Sequence, residues 1–465
     1  MGATPVYVVW FNQLTRWDIK SAQAVLLNAV DATFVPMGDF IKEHAVMVRP
    51  FDDPEKLWPV YGVNNQEGVF LSHYQKGEKF NASYKRIEAG WFFHNPTRAN
   101  VGSMGRVPNV EPDAITSPEY QVWRICDSTV LPDYIEILIQ MPFFNRLVQV
   151  HRVGAVKQRL FVRNLMEIRV PRASLDQQRQ IVQQWREAEV TAETLRREAG
   201  AIEQKGKIEF LHGLGLKPPK ETSPRKCIAV RSGDMDRWGV SSCKTVALGV
   251  DVDSGTYPVI EAKHCIRDVM HGCSASPSPT PSPLRVLRIS AVTRGKLDIQ
   301  ESKFAFDSEK FRRIYDLRAG DVLLCRTNGT LAYVGQSALV KRDQADLIFP
   351  DKVIRVRLND SIEPAYFWFL LQTPHLRAQI EAAARTAVGN YAIGGRDIWE
   401  LRIPLPPNEI QQSLVAAYAS ARTRAASLRA QVEATRAQAL AQVEAAILGR
   451  QELSAAASHE ENIVQ

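Results

Sequence analysis

NLMEIRVPRASLDQQRQIV, residues 164–182, and DIWELRIPLPPNEIQQSLV, residues 397–415, are one structural phrase written twice. Glu167 corresponds to Glu400, Arg169 to Arg402, Pro171 to Pro404, Gln178 to Gln411 and Val182 to Val415, each pair 233 positions apart (400 − 167). A period that long exceeds any solenoid unit of about 20–50 residues. It predicts two whole domains, each ending in a helix, and an approximate internal two-fold repeat. The match extends upstream, where LPDYIEILIQMP (131–142) parallels IEPAYFWFLLQTP (362–374), Val101-Gly102 parallels Val334-Gly335, and Pro118-Glu119 parallels Pro350-Asp351.

Around this repeat the chain alternates two textures. Residues from 1 to about 170 hold short apolar runs separated by turn signals (VYVVWF, TFVPMGDF, HAVMVRPF, EGVFLSHY, AGWFFHNP, YQVWRI), which read as strands and loops, then a helical patch around DYIEILIQMPFFNRLVQ. Residues from about 225 to 405 repeat that texture with RVLRISAV, GDVLLCR, YVGQSALV and DKVIRVRL, then a helix through AYFWFLLQTPHLRAQIEAA. After each comes a long helix with an acidic first turn at Asp176 or Glu409. Apolar positions recur by sevens at Ile181, Ala188, Leu195, Ile202 and at Leu414, Ala421, Leu428. A companion row runs Trp185, Ala192, Ala199 against Tyr418, Ala425, Val432, and this spacing predicts coiled-coil-like packing. Val190, Phe210, Val415, Leu440, Val443 and Ile447 lie off those rows, so they serve either as core under the globular domains or as a surface for a partner.

The expected fold class is α+β. Its boundaries are a first domain at 1–172, a first helix at 173–212, a linker and second domain at 213–405, a second helix at 406–449 and a disordered tail at 450–465. Gly213 and Gly215 stop the first helix, 217–224 reads as a linker, and SASPSPTPSP (274–283) as a mobile surface loop.

Composition sets the outer limits. With 465 residues, 45% hydrophobic and 23% charged, the chain has room for two to four ordinary soluble domains. No apolar run approaches the roughly 18–20 residues of a membrane span, and the N-terminus lacks a basic start and cleavage site, so the expectation is a cytoplasmic protein without a membrane partner. Six cysteines without framework spacing read as reduced thiols. A net charge of +7 favours an anionic partner.

Globular unit, long helix, globular unit, long helix resembles the layout of the specificity (S) subunits of type I restriction–modification enzymes. The resemblance rests on EIRVPRASLDQQRQIV with ELRIPLPPNEIQQSLV, on FFHNPTRANVGSMGRV with ITSPEYQVWRI, and on LRAGDVLLCRTNGTLAYVGQSALV with FPDKVIRVRL. It implies two target-recognition domains, each reading half of a split double-stranded DNA sequence, and helices that pack antiparallel as a spacer. It also implies docking of two methyltransferase (M) subunits, which would bind S-adenosylmethionine. Translocation and cleavage would fall to restriction (R) subunits where the system has them, and this chain would hold no cofactor and no catalytic residue.

Other chemistries have weaker patterns. Asn95-Pro96-Thr97-Arg98 approaches the Asn-Pro-Pro-Tyr signature of adenine methyltransferases, but Arg98 stands where an aromatic must stack on a flipped base. Asp253, Glu261 and Lys263 have the residue types of a metal-dependent nuclease at loose spacing, which leaves a self-sufficient nuclease as one rival. A structural coiled-coil adaptor without DNA preference is the other. His264, Cys265, His271 and Cys273 lack a tight zinc knuckle. Candidates for DNA contact sit on duplicated loops: Arg98, Asn100, Ser103 and Arg106 against Arg326, Thr327, Asn328 and Gln336, then Lys157 and Arg159 against Asn390 and Tyr391. Arg and Lys read guanine edges, Asn and Gln read adenine, and Ser or Thr serve either a base or phosphate.

Overall fold

The computed structural model describes residues 34–218, 250–274, 277–387 and 389–449. The expected strand near residues 6–11, most of the expected linker, the tail from 450, Cys227 and Cys243 lie outside the described residues. The chain divides into two compact units, one formed by 1–196 with 430–465 and the other by 197–429. The long helices, Leu175–Gly213 and Asn408–Ile447, each contribute to both units.

The first unit is built on a four-stranded antiparallel sheet in the order Ile41–Glu43, Gln121–Ile125, Phe92–His94, Met104–Arg106. Two helices, Pro132–Leu138 and Pro142–His151, start on prolines whose missing N–H costs nothing at that position. They bury Ile135, Leu138, Phe143, Phe144 and Leu147 against Trp123. A second, five-stranded sheet runs Met47–Val48, Tyr84–Arg86, Ile115–Thr116, Leu57–Asn64, Gly68–Lys76, with the long hairpin of the last two strands at one edge.

The second unit repeats the four-stranded sheet in the same order with Ile266–His271, Val353–Leu358, Val322–Cys325 and Ser337–Leu339. Its helices Pro364–Leu371 and Pro374–Ala383 again begin on proline. Val322–Cys325 is an unbroken apolar run with every residue buried, as a central strand covered on both faces requires. Where the first unit has five strands in its accessory sheet, the second has three: Ser302–Phe304, Arg285–Leu287 and Leu347–Ile348.

The repeated phrase has one mechanical job in both units. Gln178 is buried, accepts from the Leu131 N–H at 2.8 Å and donates to the Thr129 and Ala173 carbonyls at 3.0 and 2.9 Å. Gln411 accepts from the Glu363 N–H at 2.8 Å and donates to the Ser361 and Pro406 carbonyls at 3.4 and 2.9 Å. The Tyr134 hydroxyl donates to the Pro171 carbonyl at 3.0 Å, and the Tyr366 hydroxyl to that of Pro404 at 2.8 Å. Each long helix is therefore fixed to its own domain by the side chains that made the repeat visible. Ser174 and Gln177 add a reciprocal cap at the first helix start, through bonds of 2.9 and 3.3 Å.

Within each unit the helix segments run antiparallel. In the first, Gln184 donates to Gln442 at 3.2 Å and Arg436 pairs with Glu189 at 2.5 Å. In the second, Gly206 lies against Ala421 and Gly213 against Leu414. A Cβ on Gly206 would stand 2.8 Å from that of Ala421, so glycine permits this approach. Of the two heptad rows, Ala192, Ala199, Tyr418, Ala425 and Val432 are buried, while Ala188, Leu195, Ile202, Leu414, Ala421 and Leu428 are half-buried.

The off-row apolar residues divide unequally. Val443 and Ile447 are core of the first unit with Leu440 packed on it, Phe210 is core of the second, and Val415 packs on that core. Only Val190 of the six is exposed, at 67%. Five of the six are thus spent on domain cores. The expected 274–283 loop lies at the surface over most of its described residues and is tied down at Pro277 and Ser278 and by the residue that follows it. Pro277 bridges to Ala305, the Ser278 N–H donates to the Phe304 carbonyl at 2.7 Å, and Leu284 is fully buried.

Candidate nucleic-acid interface

In the first unit, the loop leaving strand Phe92–His94 begins with an Asx turn. The Asn95 side-chain oxygen accepts from the Thr97 N–H and hydroxyl at 3.0 and 2.8 Å, which gives Asn-Pro-Thr-Arg a structural use. Gly102 closes the loop at φ 81°, a left-handed conformation that favours glycine. The hairpin closed by the Val153–Arg159 bridge is fastened to this loop. The Leu160 N–H donates to the Pro96 carbonyl at 2.9 Å, and one Arg152 nitrogen reaches the Thr97 and Gln158 carbonyls at 3.2 and 2.8 Å.

His94 anchors the base of this arrangement. Its Nδ1 accepts from the Trp123 indole at 3.2 Å while Nε2 lies 2.9 Å from the Leu160 carbonyl. Those partners require a neutral ring with its proton on Nε2. Burial pushes its pKa down to about 4. A third loop joins from the tip of the long hairpin, where Asn65 lies against Gly102.

The second unit assembles the corresponding loops by strand pairing. Thr327–Asn328 pairs with Asn390–Ala392, which pairs with Arg385–Ala387. The Ile393 N–H donates to the Arg326 carbonyl at 3.0 Å. Gly335, at φ 74°, stands where the first unit has Gly102, and Arg377 holds the loop by donating to the Val334 carbonyl at 2.8 Å.

Each unit therefore brings together two loops that are about 60 residues apart in sequence. Arg98, Lys157 and Asn390 are exposed on them, and Asn100, Arg159, Thr327 and Tyr391 are half-buried. The other candidates have internal partners. Ser103 is buried, and Arg106 pairs with Asp133 at 3.0 Å and Glu136 at 3.5 Å. Arg326 donates to the Asp351 carbonyl at 3.2 Å, and Gln336 to that of Ala332 at 3.1 Å. The Asn328 side chain accepts from the Thr330 N–H at 3.0 Å, as in an Asx turn. Sequence reading missed Asn65, Arg152 and the exposed Tyr333. The turn run Asn64-Asn65-Gln66-Glu67-Gly68 was a signal for the first, whereas the role of Arg152 depends on a long-range contact.

The residues of the rival nuclease reading are paired with cations of the chain. Asp253 accepts two bonds from Arg402, at 2.5 and 2.6 Å, and Glu261 pairs with Lys263. Hydrogen bonding to Lys263 and its charge hold the Glu261 carboxyl below its ordinary range. Among the described residues, no group of three or more His, Cys, Asp or Glu is placed to hold a metal. No described helix is long and apolar enough to cross a membrane.

No protein-family profile matches the chain. Among characterised proteins, the EcoKI specificity subunit of the type I restriction enzyme of Escherichia coli (strain K12) is 32% identical over 151 residues, 32% of this chain and 32% of that protein. The EcoEI specificity subunit of Escherichia coli is 31% identical over 145 residues, 31% of this chain and 24% of that protein. The matched stretches thus span about a third or less of these relatives. Among solved structures, a chain from a study of assembly and conformational transition of the type I R-M system aligns over 90% of this chain and 96% of its own, with 18% identity and a TM-score of 0.49. The HsdS subunit from Thermoanaerobacter tengcongensis aligns over 90% of this chain and 97% of its own, with 17% identity and a TM-score of 0.37. Over about a third of its length, this chain is similar in sequence to the specificity subunits of type I restriction enzymes.

Proposed function

We propose that the chain is a DNA-recognition subunit that reads a bipartite, asymmetric duplex target and leaves the chemistry to its partners. The observation that carries this reading is the duplicated pairing of loops, built on the same sheet order in both units but with different side chains at the tips. Two unlike readers in one chain match a target of two unlike half-sequences separated by unread base pairs. Arg98, Asn100, Lys157 and Arg159 would serve one half, and Thr327, Asn390 and Tyr391 the other. Arg106, Ser103, Arg326, Asn328 and Gln336 would shape those loops. Two M subunits would carry S-adenosylmethionine and transfer the methyl group, and R subunits would cleave in a complete restriction system. The groove beside the first helix, lined by Val182, Arg186 and the exposed Val190, is a candidate place for an M subunit.

The test is the methylation pattern of cells expressing the chain with a methyltransferase partner. The expected motif is split, and Arg98→Ala with Lys157→Ala should relax only one half of it. A single contiguous motif, or a duplex preference unchanged by the pair of substitutions, would overturn the reading.

A further inference from the structure

The Pro/Ser segment of the second unit has a consequence for binding. Pro277 walls an open groove of about 500 Å³ whose lining includes Arg288, Lys303 and Lys352, all exposed, over a floor containing Val286 and Ile289. One carboxylate, Asp351, also lines it. Lys303 and Lys352 have no ion-pair partner among the described residues, and Arg288 has only a distant one, Glu301 at 3.9 Å. The groove is continuous with the candidate reading loop, because the Arg326 N–H donates to the Lys352 carbonyl at 2.8 Å.

The first unit lacks this charge. Its accessory sheet contains one parallel pair, Val60 against Ile115, which corresponds to Arg285 against Leu347 in the second unit. Extending that register through the neighbouring strands places Val63, Leu71 and Tyr120 where the second unit has Arg288, Lys303 and Lys352. The cations are therefore a property of one domain, at positions where the shared fold does not require them.

We propose that this groove seats the phosphodiester backbone of the DNA strand beside the second half-site, a proposal that rests on the DNA-recognition reading. Flexible lysines over an apolar floor suit phosphates as point charges and carry no base preference. The second domain would thus hold its half-site with more sequence-independent affinity than the first.

The experiment measures duplex binding by the full chain with its methyltransferase partner across a salt series, comparing wild type with Lys303→Ala/Lys352→Ala. Losing two phosphate contacts should weaken binding about tenfold or more near 0.15 M salt and flatten the log–log salt slope by about 1.8. The rank order of duplex sequences should stay the same, and Lys303→Arg/Lys352→Arg should restore both affinity and slope. Unchanged affinity and slope in the alanine variant overturn the groove while leaving the recognition reading intact. A changed sequence ranking also overturns it, since the groove would then be reading bases. Failure of the wild-type complex to prefer any duplex overturns both readings at once.

Discussion

The central strands of the two sheets solve one packing problem in opposite ways. Gln121–Ile125 and Val353–Leu358 hold the same place in their sheets, 232 positions apart (353 − 121), so Trp123 in one corresponds to Arg355 in the other. Trp123 is fully buried, stacks on Phe92 with centroids 4.6 Å apart, and gives its one polar hydrogen to His94. Arg355 is 2% exposed and forms bonds to Asp268 at 2.7 Å and Asp316 at 2.9 Å, while the neighbouring Arg357 binds Asp321 at 2.7 Å. Burial at that position therefore accepts either an aromatic ring or a guanidinium whose two terminal nitrogens find carboxylates, even with the Arg355 Nε left without a partner. The aromatic and ionic solutions share a fold but differ in what breaks them.

The largest difference should appear on deleting the buried cation. Arg355→Met leaves Asp268 and Asp316 facing a side chain that offers them no charge. Because Asp268 is partly exposed and Asp316 keeps Arg318 and Arg357, the cost is about 3 kcal/mol, the low end for breaking a buried pair. Hydrogen exchange resolved by unit is the right measurement, since two units need not unfold as one. Protection should fall in the second unit and persist in the first. Equal loss in both would mean that the units unfold together and that the contrast has no energetic content.

Acid should single out the first unit instead. An unfolded histidine takes up its proton near pH 6.5, whereas buried His94 does so only near about 4. Between those values the unfolded state binds more protons, so stability falls as pH falls, by about 3 kcal/mol across the window. Cys325, which pairs with Val353 as His94 pairs with Gln121, has a thiol pushed up to about 11 by burial and stays neutral throughout. The opening constant of the first unit, taken from exchange rates corrected for the pH dependence of intrinsic amide exchange, should rise steeply from pH 6.5 to 4, and His94→Gln should flatten that rise. A rise of the same steepness in the variant would assign the acid sensitivity to other groups.

What could be read from the sequence follows the range of the interactions involved. Gln178, Gln411 and the prolines ahead of each helix act over a few tens of residues and repeat at fixed spacing, so the domain plan was visible in them. The reading loops were visible as Gly and Asn turns, because backbone conformation at Gly102 and Gly335 restricts residue choice locally. The substitution of Arg355 for Trp123 was hidden because its partners lie 39 and 87 residues away. Similarly, Phe210, Val443 and Ile447 could not be assigned to core or surface from the helix pattern alone, since what covers them comes from distant helices and strands.

The smallest expected effect tests what the units share. Gln178→Leu and Gln411→Leu keep roughly the side-chain volume but remove every hydrogen bond of the amide. Each leaves one main-chain N–H, of Leu131 or Glu363, and the carbonyls around it without their partner. An unsatisfied buried group of this kind costs about 1–3 kcal/mol. The loss should be confined to the unit carrying the substitution. The two losses should agree within about 1 kcal/mol, with Gln178→Leu at the larger end because its bond to the Thr129 carbonyl is 3.0 Å against 3.4 Å from Gln411 to that of Ser361. Unit-resolved exchange in the two single variants measures this directly. If one substitution destabilises its unit and the other does nothing, the repeated glutamine is a relic of duplication in one unit and a working brace in the other.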